Sequence, residues 1–149
     1  MILNRQRAVR LARRPLEAFL RRVQDNLGFK EAGVTICLVS DAEIARMNET
    51  FRKKKGPTDV LSFPAAARQR PVQLRGSSSK VKAGEYLGDI AISPATARRY
   101  ARKYGRTLPS ELRMLILHGV LHLLGYDHES DRGEMDRIER KLRKRFGLK

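Results

Sequence analysis

With 149 residues, 41% of them apolar, the chain has room for one domain with a real core and little room for a second. Its 32 Lys and Arg against 16 Asp and Glu leave a formal net charge of +16, which favours polyanions and places nucleic acid ahead of solubility alone as the reason. A lone cysteine, Cys37, excludes an intrachain disulfide framework, and the longest apolar stretch, Leu112 to Leu124, is broken by Arg113, His118 and His122 and falls short of a membrane span. The first residues, MILNRQRAVRL, lack the apolar core of a signal peptide, so a reducing cytoplasm is the expected compartment and Cys37 a packed strand residue. There is no tryptophan, and the few Phe and Tyr do not interleave with basic residues as a single-strand stacking platform would need. Contact with a folded nucleic acid through its phosphates is therefore expected rather than base stacking, and composition does not separate RNA from DNA.

In chain order, residues 2–10 suggest a short strand. RPLEAFLRRVQDNLGF then reads as a helix with Pro15 at its first position, a stripe of Leu16, Phe19, Leu20, Val23 and Leu27, and Gly28 as the stop. VTICLVS (34–40) is a β-branched strand. Ser40 with Glu43 forms a capping box for a helix expected to bury Ile44, Met47 and Phe51. KKKGPT breaks that pattern, and DVLSF (59–63) is a strand that Pro64 ends or leaves at an edge. The segment 65–84 is Ser-, Gly- and Arg/Lys-rich without periodicity, and is expected to be a flexible basic loop or irregular hairpin. YLGDIAIS (86–93) resumes as a strand, and Ser93-Pro94 caps a basic helix ending near Gly105. Leu108 to Leu124 is apolar on nearly every side, hence a buried central helix. Asp131 with Glu134 suggests a capping box for a last helix striped by Met135, Ile138, Leu142 and Phe146. The whole, 1–149, is expected to be a single compact α/β (α+β) domain, a small mixed sheet packed around the central helix.

All three histidines fall within HGVLHLLGYDH, residues 118–128. His118 and His122, four apart on a helix, put their rings on one face, and Gly125 can turn the chain so that His128 returns as a third ligand. Three nitrogen ligands with a fourth position open are the arrangement of a catalytic zinc site, although imidazole also suits nickel, copper or iron. The spacing HxxxHxxGxxH is that of the metzincin proteases, so the helix is metzincin-like, but Gly119 stands where those enzymes carry the Glu general base. Asp127 beside the third histidine could act as a base, or could cap the following loop or orient a histidine.

The second informative stretch is MNETFRKKKGPTDVLSFP (47–64). Arg52, Lys53, Lys54 and Lys55 put four cations at a helix end, where the helix dipole favours them and where they could clamp phosphate. PTDVLSFP, the upstream MNxxFR, the GDIAIS strand and HGVLHLLGYDH, in that order, together resemble the YbeY family of bacterial endoribonucleases. The likeness runs from about Val34 to the C-terminal helix. It implies a metal-dependent, single-strand-specific RNase of compact α/β fold acting in ribosomal RNA processing, including 16S rRNA 3′ end maturation, and in ribosome quality control. It implies zinc on His118, His122 and His128, Arg52 needed for activity on RNA, and ribosome or small-subunit components as partners. The 65–84 stretch departs from the family in being longer and more basic. A monomer and no membrane are expected. On this reading the metal activates a water and polarises a phosphoryl oxygen, and Arg52 neutralises charge building on the phosphate. Two rival readings stand beside it: a non-catalytic RNA-binding ribosome-assembly factor with a structural metal, and a metzincin-like metallohydrolase of peptides or small molecules.

Overall fold

Alternating strand and helix signals become a four-stranded mixed sheet and five helices in a computed structural model that describes residues 1–66, 68, 71, 72, 74 and 81–148. The strands are β1 (Ile2–Asn4), β2 (Gly33–Leu38), β3 (Val60–Pro64) and β4 (Tyr86–Ile92). The helices are α1 (Arg13–Leu27), α2 (Asp41–Arg52), α3 (Pro94–Lys103), α4 (Leu108–Leu123) and α5 (Glu134–Arg145). Sheet order is β1-β2-β4-β3, with β1 and β4 parallel to β2 and only β3 antiparallel to β4. The architecture is α/β, as expected. No helix among the described residues is long and apolar enough to cross a membrane.

α4 carries little amphipathic contrast because its neighbours cover it on nearly every side. It packs against β3, β4, α1, α3 and α5, and Ile116, Leu117, Val120 and Leu121 are fully buried. Each such side chain contributes about 1.5–3 kcal/mol relative to exposure, so the helix that bears the histidines is also the one most firmly held. Its N-cap is Thr107, whose side chain accepts from the Ser110 N–H. Its far end closes in a Schellman motif: Gly125 N–H bonds the His122 carbonyl and Tyr126 N–H the Leu121 carbonyl, both at 3.0 Å, with Gly125 at φ 97°. A side chain at 125 would strain that turn.

Ser40 and Ser93 cap α2 and α3 as their sequence context predicts, each accepting from the N–H three residues on. Elsewhere the structure differs. The first strand covers only Ile2–Asn4, because the Asn4 side chain accepts from the backbone and side chain of Gln6 and turns the chain. α1 begins at Arg13, two residues before Pro15; proline is tolerated throughout a first helical turn, where its missing N–H has no acceptor to lose. Asp131 is not the N-cap of α5. Gly133 is, and Asp131 reaches forward to accept from the N–H groups of Gly133 and Met135, both at 2.8 Å. Tyr100 on α3 and Tyr104 just beyond it are near-parallel, with Lys103 and Arg106 over the Tyr104 ring. Phe51 is not buried with Ile44 but is 65% exposed.

Within 65–84, Val72 and Val81 are buried, and Val72 is tied to the end of α4 by hydrogen bonds with the Leu124 carbonyl and the Tyr126 hydroxyl. The rest of the expectation for this segment lies on residues 67, 69, 70, 73 and 75–80, outside the described residues.

Candidate metal centre

The i, i+4 spacing on a straight, buried helix stacks His118 and His122 one turn apart, with ring centroids 4.6 Å apart. The Gly125 turn brings His128 back, its ring 5.7 Å from His118 and 5.6 Å from His122. One ring nitrogen from each of the three lies within 4.8 Å of the other two. The Nε2 atoms of His118 and His122 face each other at 3.0 Å. Zn–N bonds of about 2.0–2.1 Å in tetrahedral geometry put ligand nitrogens on the order of 3.4 Å apart, so the His118–His122 pair already stands near ligand spacing and the set of three would draw closer to hold one ion.

The surroundings of His118 and His122 suit ligands. His118 Nδ1 is 2.6 Å from Glu139 Oε1 on α5. Burial works against the Glu139 carboxylate, but the hydrogen bond and charge of His118, with Arg143 and His122, outweigh it and hold its pKa below the ordinary value. Glu139 is then ionised and accepts from His118 Nδ1, which turns the other ring nitrogen, Nε2, toward His122. Burial, then the charges of His118 and His128, push the His122 pKa down against an opposing backbone hydrogen bond at Tyr126. A neutral imidazole is the form that ligates.

Glu139 was not singled out from sequence, yet a signal was there: it interrupts the apolar stripe of α5 at Met135, Ile138 and Leu142, and so faces inward. Arg143, one turn on, stands 3.8 Å from its other oxygen.

Around the histidines runs a cleft of about 580 Å³, lined also by Arg52, Lys54, Arg68 and Asp127. Arg52 thus lines the same cleft as the histidines from the end of α2, where its guanidinium meets Glu129 at 3.2 Å across an exposed ion pair. The chain turns there because Lys53 adopts φ 55° and the Asn48 amide donates to the Gly56 carbonyl. Lys54 enters the cleft, whereas Lys53 and Lys55 are exposed outside its lining. Asp127 lines the cleft, and its Oδ1 accepts from the Glu129 N–H at 3.0 Å, bracing the loop that carries His128.

Gly119 lies against the sheet. A Cβ there would meet Ile90 Cγ2 at 2.8 Å and Cδ1 at 2.9 Å, and Ile90 is fully buried. The place a metzincin gives to its Glu is thus occupied by β4, and Ser62 Oγ on β3 donates to the Gly119 carbonyl at 3.3 Å. The general base of that protease class has no room here.

Fold and site together define an α/β protein with a three-histidine centre able to hold one metal ion beside a basic cleft. The family model described as Endoribonuclease YbeY matches residues 1–147, and the chain belongs to that family. An Endoribonuclease YbeY of Solibacter usitatus is 43% identical over 144 residues, covering 96% of this chain and 86% of the relative. One of Koribacter versatilis is 40% identical over 148 residues, covering 99% and 86%. A solution structure of a Thermotoga maritima protein superposes with a TM-score of 0.61 at 27% identity, covering 99% of this chain and 90% of the other.

Proposed function

We propose that residues 1–149 form one metal-dependent, single-strand-specific endoribonuclease unit acting in ribosomal RNA processing, with 16S rRNA 3′ end maturation and ribosome quality control as its setting. The observation that carries the reading is the convergence of three histidines and Arg52 in one cleft of an endoribonuclease family member. Membership brings RNA as the substrate class; the net charge of +16 agrees with it. The cytoplasm as compartment, a monomeric state, and ribosomal or small-subunit partners belong to the same proposal.

His118, His122 and His128 would hold the ion, with zinc preferred and nickel or another divalent metal as the alternative. A bound divalent ion supplies an activated water at neutral pH and Lewis acidity toward a phosphoryl oxygen. Arg52 grips the phosphate through paired N–H donors and offsets the charge that builds on it, after exchanging its contact with Glu129 for the substrate. Lys54 extends the grip inside the cleft, and Lys53 and Lys55 add field outside it. Asp127 keeps the His128 loop in place; a role as base would need it to release the Glu129 N–H.

The test is cleavage of a ribosomal RNA fragment by protein stripped of metal and reloaded with one equivalent of zinc, run beside His122→Ala and Arg52→Ala. Activity that disappears on stripping, returns with zinc and is absent in both variants supports the reading, with Arg52→Ala still holding zinc. If all preparations behave alike, the histidines are a structural clasp and the chain is an RNA-binding assembly factor. Products ending in a 2′,3′-cyclic phosphate would replace water by the RNA 2′-hydroxyl as the attacking group.

A further inference from the structure

The cleft at the histidines has two adjoining lobes that differ in their outer walls. One, about 580 Å³, is lined by Asn48, Lys54, Thr58 and Arg68. The other, about 490 Å³, is walled by Phe51 and Phe63. Arg52, His122 and His128 border both and mark the junction. Phe51 is 65% exposed, and its ring stands edge-on to Phe63 with centroids 5.1 Å apart and planes at 72°. Phe63 in turn packs on the small buried cluster of Val39, Ile44, Leu61 and Ala91, so the wall is anchored in the body of the protein.

A single exposed phenylalanine on a surface needs no explanation. This one is propped by a second ring, lines a concavity at the metal centre, and precedes in sequence the arginine proposed to grip phosphate. An apolar ring beside convergent polar groups in a concavity of a few hundred Å³ is the make-up of a ligand site.

Resting on the endoribonuclease reading above, the geometry points to the aromatic lobe as a nucleobase subsite: the base next to the phosphate held by Arg52 stacks on Phe51, and the strand continues into the lobe lined by Lys54 and Arg68. A base inside a duplex has both faces covered by its neighbours, so only an unpaired nucleotide can lie on this ring. Preference for single strands then has a residue behind it. Because every base has a π-face, the subsite contributes affinity and register without choosing a base.

The experiment measures binding of a short single-stranded oligoribonucleotide to the chelator-treated full chain, and its cleavage by the zinc-loaded chain, for wild type, Phe51→Leu and Phe51→Tyr. A companion series carries one abasic ribose, moved along the strand a position at a time. Phe51→Leu is expected to weaken binding roughly 5- to 100-fold, the range of one base–aromatic stack, while Phe51→Tyr stays within about threefold of wild type. Zinc stoichiometry and thermal midpoint stay unchanged in both, since the ring is exposed. In wild type one abasic position weakens binding by a like factor; in Phe51→Leu that position costs nothing further. Equal affinities for wild type and Phe51→Leu, or the same abasic profile in both, overturn the subsite. If zinc-dependent cleavage by wild type persists in that case, the endoribonuclease reading survives without it; wild type that neither binds nor cleaves RNA overturns both.

Discussion

Replacing Glu139 separates a histidine that is merely present from one prepared to ligate. Its carboxylate is 12% exposed and meets His118 Nδ1 at 2.6 Å, which turns Nε2 toward His122. Removing an outer partner of this kind lowers metal affinity about 10- to 100-fold, or about 1.4–2.8 kcal/mol. Glu139→Gln keeps an acceptor oxygen without the charge and is expected near the low end of that range. Glu139→Ala leaves His118 Nδ1 and the Arg143 guanidinium both short of a partner, so it is expected near the high end, with an added stability loss of about 1–3 kcal/mol. Competition for zinc against a chromophoric chelator at fixed pH measures the affinity. Long-range proton–nitrogen NMR of the metal-free protein reads the His118 tautomer, which a purely structural role of Glu139 would leave unchanged. If both variants hold zinc as tightly as wild type and His118 keeps its proton on Nδ1, the reasoning fails.

Three further predictions rest on single contacts. Gly119→Ala is expected to lose about 1–3 kcal/mol in denaturant unfolding, because the clash with buried Ile90 exceeds the gain in helix propensity; a stabilised variant would show that β4 gives way. Glu129→Ala frees Arg52 from an exposed pair worth at most about 1 kcal/mol, so stability should barely move while RNA affinity rises; weaker binding would mean that the pair orients Arg52 for the phosphate. Asp41 is held below its ordinary pKa: burial opposes this, but hydrogen bonds from Ser93, Thr96 and Arg99 outweigh it. Its contribution to stability is therefore full above the unfolded carboxylate value, about 3.9, and is lost as pH falls through the lower folded value. Asp41→Asn should be less stable at neutral pH and flatten this acid limb in denaturation series; identical slopes would refute the assignment.

Local signals were legible where the physics is local. Ser40 and Ser93 caps, the α1 stripe of Leu16, Phe19, Leu20 and Val23, and the all-round apolar character of α4 each depend on neighbours within a turn or two, and each element formed where the pattern put it. Boundaries were less legible. Pro15 is as acceptable in the third helical position as in the first, and Asp131 can serve α5 from two residues before the cap because a carboxylate has two oxygens to offer. Phe51 sits at the end of the stripe begun by Ile44 and Met47, where periodicity marks a face but not whether anything covers it.

The sequence by itself determined that two histidines share a helix face with a third beyond a glycine turn, since 3.6 residues per turn and the left-handed freedom of Gly125 are properties of the chain alone. It also determined the electrostatic sign of the surface. Only the tertiary structure decided what surrounds those histidines. Glu139 comes from 21 residues away and Arg52 from another helix, and Ile90 takes the space beside Gly119. Such meetings depend on how α2, α5 and β4 pack against α4, and no period within a segment carries that information.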